Sequence, residues 1–153
     1  MIIYTDGSAH PNPGPGGYGV VVLNDEEKIV NIRSRQTNDE TTNNREELKA
    51  ILWSMIRYGD SKQTPVVYSD SAYAVNTLNT WMFGWADKGW IKSDKQIPEN
   101  LDLIQIYYDL YQKGFRINLQ KIKGHAGHMW NELADQLATG KITEEEALKK
   151  YNE

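Results

Sequence analysis

The pattern of apolar and polar positions along the chain predicts five strands. They cover residues 2–5, 19–23, 29–32, 65–70 and 115–122, where β-branched and other apolar residues form short runs or alternate with polar residues. A Gly/Pro-rich stretch at residues 11–17 and a polar turn at residues 24–26 separate the first three strands. Because these connections are short, the three strands are expected to form an antiparallel meander.

Apolar residues at helical spacing predict helices between and after these strands. They cover residues 43–58, 71–78, 98–113 and 129–139. The first helix is expected to use Thr41 or Thr42 as its N-cap. A capping-box pattern from Thr143 to Glu146 predicts a further, short C-terminal helix over about residues 143–152.

The stretch at residues 81–95 fits neither pattern. It carries three tryptophans among glycines and charged residues, without a wide apolar stripe in any helical register. We expect it to protrude from the body, and we call residues 81–95 the handle.

The order of these elements predicts the fold class. Antiparallel strands followed by helices that alternate with further strands indicate a mixed α/β sheet flanked by helices. A chain of 153 residues, 39% of them hydrophobic, fits one domain covering residues 1–153. There is no apolar run of the roughly 20 residues that a membrane span needs and no signal-peptide pattern, so a cytoplasmic protein without membrane contact is expected.

Composition and charge narrow the chemistry. Because the chain has no cysteine, any bound metal must be held by oxygen or imidazole. The formal net charge of −4 argues weakly against a broad basic surface for phosphates. Part of the acid excess lies near the C-terminus, and four other acids are candidate metal ligands whose charge bound cations would offset. The charge therefore bears mainly on affinity for phosphate-bearing ligands.

Four acids lie beside the predicted apolar elements. Asp6 and Asp70 finish strands one and four, so parallel pairing would bring their carboxylates together at the carboxyl edge of the sheet. Glu47 and Asp135 flank the apolar stripes of their helices, which would aim both inward. Such a set of hard oxygen ligands suits Mg²⁺ or Mn²⁺, and two such ions can assist an in-line phosphoryl displacement. Any one of these acids alone is more often a turn or cap residue, so the prediction depends on their joint placement.

Several short segments along the chain stand out as motifs. They are residues 5–8 (Thr-Asp-Gly-Ser), 12–19 (Asn-Pro-Gly-Pro-Gly-Gly-Tyr-Gly), 42–48 (Thr-Asn-Asn-Arg-Glu-Glu-Leu), 69–71 (Ser-Asp-Ser) and 123–128 (Lys-Gly-His-Ala-Gly-His), followed by Asn131 and Asp135. Together they resemble the motifs of the type 1 ribonuclease H family, of the bacterial kind. The resemblance covers residues 5–138 in the family's order.

This resemblance implies a fold and an activity. The fold is a ribonuclease H-like sheet of five strands in the order 3-2-1-4-5, and the activity is endonucleolytic cleavage of the RNA strand of an RNA–DNA hybrid, leaving 3′-hydroxyl and 5′-phosphate ends. It implies two divalent ions, Mg²⁺ or Mn²⁺, with the ligands Asp6, Glu47, Asp70 and Asp135. It also assigns His125 to a glycine-flanked loop, where an imidazole titrating near neutral pH would help proton movement or product departure. The alternative for His125 is a loop histidine without a role.

The resemblance also implies which residues contact the substrate. Neutral amides near a metal site can hydrogen-bond ribose 2′-hydroxyls, and Asn12, Asn43 and Asn44 are the candidates for such contacts. Thr42, together with Asn43, would help to seat a phosphate of the DNA strand.

The handle is expected to contact the DNA strand but departs from the family's pattern. Trp81 and Trp85 are four residues apart and would share one helix face, whereas Trp90 is expected to pack the handle onto the body. Many bacterial members carry a run of Lys and Arg between the second and third tryptophans, but residues 86–89 read Ala-Asp-Lys-Gly here. Fewer phosphate contacts predict weaker hybrid binding with a flatter salt dependence.

Alternatives stay open at this point. An exonuclease or an integrase with a similar acidic cluster could share the fold, although the Gly-His-Ala-Gly loop and the handle tryptophans favour the ribonuclease. A non-catalytic hybrid-binding module is less compatible with the presence of all four acids. The chain could also be a domain of a larger polymerase, although its ends and its extra terminal helix predict a free-standing monomer.

Overall fold

A computed structural model describes residues 1–122 and 128–152. Within these residues the strands form one sheet in the order β3-β2-β1-β4-β5. Their bounds are Ile2–Ala9 for β1, Gly14–Leu23 for β2, Ile29–Thr41 for β3, Val66–Ser69 for β4 and Asn118–Lys121 for β5. β1 and β3 flank β2 in antiparallel pairing, whereas β4 lies parallel to both β1 and β5. The predicted mixed α/β class and strand order are confirmed.

The helices described are α1 (Asn43–Tyr58), α2 (Ala72–Asn76), α3 (Met82–Asp87), α4 (Leu101–Gln112), α5 (Met129–Thr139) and α6 (Glu144–Tyr151), with a π-helical turn at Thr77–Trp81. Among them, three begin at a residue whose side chain caps them, namely α1, α2 and α6. Of the two candidate N-caps of α1, Thr42 is the one used, and Gly59 is the C-cap. The capping box of Thr143 and Glu146 is present at α6. None of the helices described is both long enough and apolar enough to cross a membrane.

The first three strands are longer than predicted. β1 runs through Asp6 to Ala9, so the expectation that Asp6 finishes its strand was wrong. Most of the Gly/Pro-rich stretch belongs to β2, where Gly16 and Gly17 pair with β1. The strands extend because backbone hydrogen bonds hold the hairpin together whatever the side chains, and the search for β-branched residues does not detect such pairing.

The helical segment after β4 also extends beyond its predicted end. Helical structure continues from α2 through the π-helical turn and α3, so the first part of the handle is helical. Ala74, Leu78 and Met82 are buried at successive steps of four residues, a stripe too narrow to stand out in the sequence. The next helix, α4, begins at Leu101 rather than at Pro98, and β5 is shorter than the predicted strand.

Apolar residues cover both faces of the sheet. Ile3 faces a cluster that includes Leu48 and Met55 of α1, whereas the next residue, Tyr4, faces a cluster that includes Leu133 and Leu137 of α5. Successive residues of a strand point to opposite faces, which explains this division. As a result α1 and α5 lie on opposite faces of β1 and reach its end from two sides.

Candidate active site

Three carboxylates converge beside the end of β4. Asp6, Glu47 and Asp70 each have an oxygen within 4.8 Å of the other two. Tyr4 of β1 pairs with Tyr68 of β4 in parallel register. Two residues further along each chain segment, the same register puts Asp6 beside Asp70. Asp6 and Glu47 are each only 6% exposed, whereas Asp70 is half-buried. The sheet register thus brings together two acids that are far apart in the sequence.

Glu47 reaches this group because α1 lies very close to β1. A Cβ atom on Gly7 would be 2.3 Å from the Glu46 carbonyl carbon and 2.3 Å from the Glu47 nitrogen, so only glycine fits at this crossing. The Ser69 hydroxyl donates a hydrogen bond to Glu47 Oε2 at 3.4 Å. Sequence reasoning did not identify Gly7 as a requirement of the site. The signal was a glycine directly after a candidate ligand, inside a strand rather than at its end.

The electrostatics of the site favour a cation. Burial raises the pKa of Asp6 from 3.8 to about 7, and the nearby charges of Asp70 and Asp135 add to this shift. Burial, followed by repulsion from Asp6, also holds the pKa of Glu47 well above its usual range. Two buried carboxyls this close together disfavour double ionisation while no cation is bound. In the part of the chain that the structure describes, neither of them forms an ion pair with a basic side chain.

The fourth acid, Asp135, lies at the border of this group. It is exposed on α5, and its carboxyl interacts with that of Asp6. Asp135 does not belong to the group of carboxylates whose oxygens lie within 4.8 Å of one another. α5 is held against the sheet by Ala134 and Leu137, both fully buried, which places Asp135 on the side of Asp6 opposite to α1.

The donor set fits a hard divalent cation. It consists only of carboxylate oxygens, and their mutual repulsion is what bound positive charge would relieve. His125, together with the other residues of the Gly-His loop at 123–127, lies outside the described residues.

Three of the four polar residues predicted to contact the substrate also hold the site together. Asn43 Oδ1 accepts a hydrogen bond from the Ala9 N–H at 2.7 Å, and Asn12 Oδ1 accepts one from the Asn43 N–H at 3.2 Å. Thr42 Oγ1 accepts one from the Arg45 N–H at 3.1 Å. The two asparagine bonds tie the β1–β2 hairpin to the start of α1, a role that the sequence did not indicate, whereas the Thr42 bond is the predicted N-cap of α1.

The packing of the handle tryptophans agrees with the sequence analysis, and contact of Trp81 and Trp85 with the DNA strand stays a prediction. The rings of Trp81 and Trp85 lie 6.3 Å apart on one helix face. With Lys88, they line an open cleft of about 280 Å³. Trp90 instead packs edge-on against Tyr108 of α4, at 5.2 Å between ring centroids, so it fastens the handle to the body.

A mixed five-stranded sheet with buried carboxylates converging beside its central strand is the architecture of a metal-dependent nuclease. The family model described as RNase H matches residues 1–143, and the chain belongs to this family. The Ribonuclease H of Syntrophomonas wolfei is 40% identical over 143 residues, which is 93% of this chain and 95% of that protein. The chain is therefore a metal-dependent nuclease of the bacterial ribonuclease H type.

Two solved structures show the same fold. The PFV RNase H domain superposes with a TM-score of 0.75 at 23% identity, covering 90% of each chain. LC11-RNase H1, solved in complex with an RNA/DNA hybrid, superposes with a TM-score of 0.65 at 26% identity, covering 90% of this chain and 92% of that one.

Proposed function

We propose that this chain hydrolyses the RNA strand of RNA–DNA hybrids as an endonuclease, leaving 3′-hydroxyl and 5′-phosphate ends. The observation that carries the proposal is the convergence of Asp6, Glu47 and Asp70 in a chain of the RNase H family. The RNA/DNA hybrid bound by LC11-RNase H1 supports the substrate class.

The ligands of the metal in this proposal are Asp6, Glu47, Asp70 and Asp135, and the metal is Mg²⁺ or Mn²⁺. Two such ions supply activation of the attacking water and charge stabilisation at the leaving oxygen. Asp6 would hold a cation together with Glu47 and Asp70, because the oxygens of these three carboxyls lie within 4.8 Å of one another. Cation binding would favour the ionised forms of Asp6 and Glu47, against the burial that raises the pKa of both carboxyls.

The remaining residues in the proposal orient the hybrid and move protons. Asn12, Asn43 and Asn44 hydrogen-bond ribose 2′-hydroxyls, which distinguishes RNA from DNA. Thr42 lies at the N-terminus of α1, where the helix dipole favours a phosphate. Trp81 and Trp85 contact the DNA strand, and His125 assists proton movement or product departure.

The test compares four labelled substrates: RNA–DNA hybrid, double-stranded RNA, double-stranded DNA and single-stranded RNA, each with and without Mg²⁺. We expect cleavage of the RNA in the hybrid alone and only with the metal, each cut leaving a 3′-hydroxyl on one fragment and a 5′-phosphate on the other. Asp70→Asn is expected to lower kcat at least about 100-fold, because loss of even an indirect metal contact costs 10- to 100-fold. The matched control is Asp60→Asn, an exposed residue after α1.

Two results would refute the proposed function. One is cleavage of another substrate at a comparable rate. The other is full activity of Asp70→Asn alongside the control.

A further inference from the structure

A polar cleft lies next to the carboxylates, on the side of β1 that α5 covers. It has a volume of about 240 Å³ and is lined by residues that include Ser8, His10, Gln36, Asn38, Ala138 and Thr139. Hydrogen bonds between a side chain and the backbone hold its wall together. The Gln36 amide donates to the Leu137 and Ala138 carbonyl oxygens, both at 3.0 Å, and so fastens β3 to the end of α5.

The cleft lies beyond the carboxylates along both β1 and α5. Ser8 lies two residues beyond Asp6 on β1, on the same face and about 7 Å further along the strand. Thr139 lies one turn beyond Asp135 on α5, about 6 Å along the helix, and its hydroxyl donates to the Asp135 carbonyl oxygen at 3.0 Å. A strand held at the carboxylates therefore reaches the cleft within about two nucleotides, since phosphates of one strand rise about 3.4 Å along the duplex axis.

The chemistry of the lining suits sugars and bases rather than phosphates. None of the described lining residues is Lys, Arg, Asp or Glu. Throughout residues 1–122 and 128–152, no hydrogen bond uses the side chains of Ser8, His10 or Asn38, so a hydroxyl, an imidazole and an amide are available to a ligand. Such groups hydrogen-bond to ribose hydroxyls and base edges, and the described lining has no Lys or Arg to neutralise the charge of a phosphate. The volume is below the roughly 300 Å³ of the smallest pockets that enclose a whole ligand, which limits the occupant to a part of a strand.

We propose that this cleft is a subsite for one ribose–base unit of the strand that is cut, within about two nucleotides of the cleaved phosphate. Ser8, His10 and Asn38 are its hydrogen-bonding groups, and the 2′-hydroxyl of the bound unit is one of their partners. The inference depends on the proposed hybrid cleavage. It adds a place, separate from Asn12, Asn43 and Asn44, where the enzyme detects ribose.

The experiment uses hybrids that are cut at one defined phosphate. In each substrate a single ribose, at one of the first three positions on either side of that phosphate, is replaced by deoxyribose. Values of kcat/KM are measured in Mg²⁺ for the natural chain, His10→Ala, Asn38→Ala and the double variant. Gln63→Ala, an exposed residue between α1 and β4, is the matched control.

We expect each cleft variant to lower kcat/KM on the all-ribose substrate by about three- to tenfold, the loss from one hydrogen bond. One deoxyribose position is expected to cost the natural chain a similar factor. At that position the cleft variants lose no more, because the enzyme and substrate changes remove the same contact. At the other positions, the loss from the cleft substitution and the loss from deoxyribose are expected to multiply.

Two outcomes would overturn the subsite. In the first, all cleft variants, including the double variant, cut the all-ribose hybrid as well as Gln63→Ala does. In the second, the loss of kcat/KM from the enzyme substitution multiplies with the loss from deoxyribose at every position. His10 and Asn38 are exposed, so thermal unfolding is expected to show that each variant folds. If the natural chain itself fails to cut the all-ribose hybrid, the proposed function is refuted instead.

Discussion

At the scale of single residues, Asp6 and Glu47 show how a candidate metal site destabilises a protein that holds no metal there. Both carboxyls are buried beside each other, and neither forms an ion pair with a basic side chain among the described residues. A carboxyl whose pKa is raised by folding favours the folded state only while it stays protonated. The site therefore destabilises the metal-free protein at neutral pH, and bound cations would remove this penalty.

The first prediction concerns Asp6→Asn in the absence of metal. Folding raises the pKa of Asp6 from 3.8 to about 7, so its penalty is absent below pH 4, grows as the pH rises to about 7 and stays constant above that. We expect the variant to have a higher Tm than the natural chain at pH 8 in EDTA, by about 2–4 °C for each kcal/mol of penalty removed.

The pH dependence of the difference is the control for Asp6→Asn. Near pH 4 the two Tm values are expected to coincide. Other groups change the stability in the opposite direction as the pH rises. For example, the hydrogen bond from the Arg45 side chain lowers the pKa of Asp102. Such contributions are the same in both proteins, so they cancel in the Tm difference. A Tm difference that is the same at pH 4 and pH 8 would contradict this account of Asp6.

A second prediction at this scale concerns Gly7→Ala. The added Cβ would lie 2.3 Å from backbone atoms of both Glu46 and Glu47, so α1 must move away from β1. We expect a loss of about 1–3 kcal/mol in the free energy of unfolding, as for other overpacked sites. Activity is expected to fall further, to about one hundredth, because a shift of about 1 Å can cost that factor in catalysis.

Gly84→Ala is the matched control for the stability of Gly7→Ala. A Cβ on Gly84 meets no atom within 4 Å, and the residue is helical, so alanine is expected to raise the free energy of unfolding by about 0.5–1 kcal/mol. Chemical denaturation measures both variants. Equal effects of the two substitutions would show that the close approach at Gly7 is not a constraint.

At the scale of elements, the sequence predicted what depends on local pattern and missed what depends on distant contacts. The apolar spacing of α1 and α5, the Thr42 cap and the α6 capping box are local, and all were predicted. The strand extension past Asp6 was missed because the partner strand supplies the hydrogen bonds. The helical start of the handle was missed because its buried stripe is narrow.

The same distinction holds for the candidate site. The acids could be selected because each lies beside an apolar run, and family motifs supplied their roles. Gly7 and the tie from Asn43 to Ala9 could not be recognised, since both depend on where α1 crosses β1. The cleft at Ser8 and Asn38 likewise requires the end of α5 to lie against β3.

A third prediction belongs to the element α6. Its capping box joins Thr143 and Glu146, and Glu144 accepts a hydrogen bond from the backbone N–H of Ser34 on the edge strand β3 at 2.9 Å. We expect Thr143→Ala to lower the free energy of unfolding by about 1 kcal/mol, as for other lost caps, which is about 2–4 °C in Tm.

Hybrid cleavage by Thr143→Ala at 25 °C is expected to match that of the natural chain, because α6 lies away from the carboxylates. Thr143→Ser, which keeps the hydroxyl, is the control and is expected to retain most of the stability. A large loss of activity in the folded alanine variant would show that α6 contributes to the site.

At the scale of the whole molecule, the distribution of charge is the feature that bears most on substrate affinity. The net charge is −4, and the handle has Lys88, Lys92 and Lys95 as its only basic residues. Lys92 lies 3.8 Å from the Asp94 carboxylate, which offsets part of its charge. The structure therefore strengthens the prediction that few phosphates are neutralised by the handle.

The fourth prediction is a shallow salt dependence of hybrid binding, measured in the Asp70→Asn background so that the substrate is not cut. Each neutralised phosphate contributes about −0.9 to the slope of log K against log salt, so six contacts would give a slope near −5. We expect a slope of smaller magnitude here.

Adding Asp87→Lys at the end of α3 is expected to tighten binding and to steepen the slope by about one contact. Asp60→Lys makes the same change of charge outside the handle and is expected to leave the slope unaltered. A slope of −5 or steeper before any lysine is added, or equal steepening by both substitutions, would mean that the hybrid is held by a basic surface other than the handle.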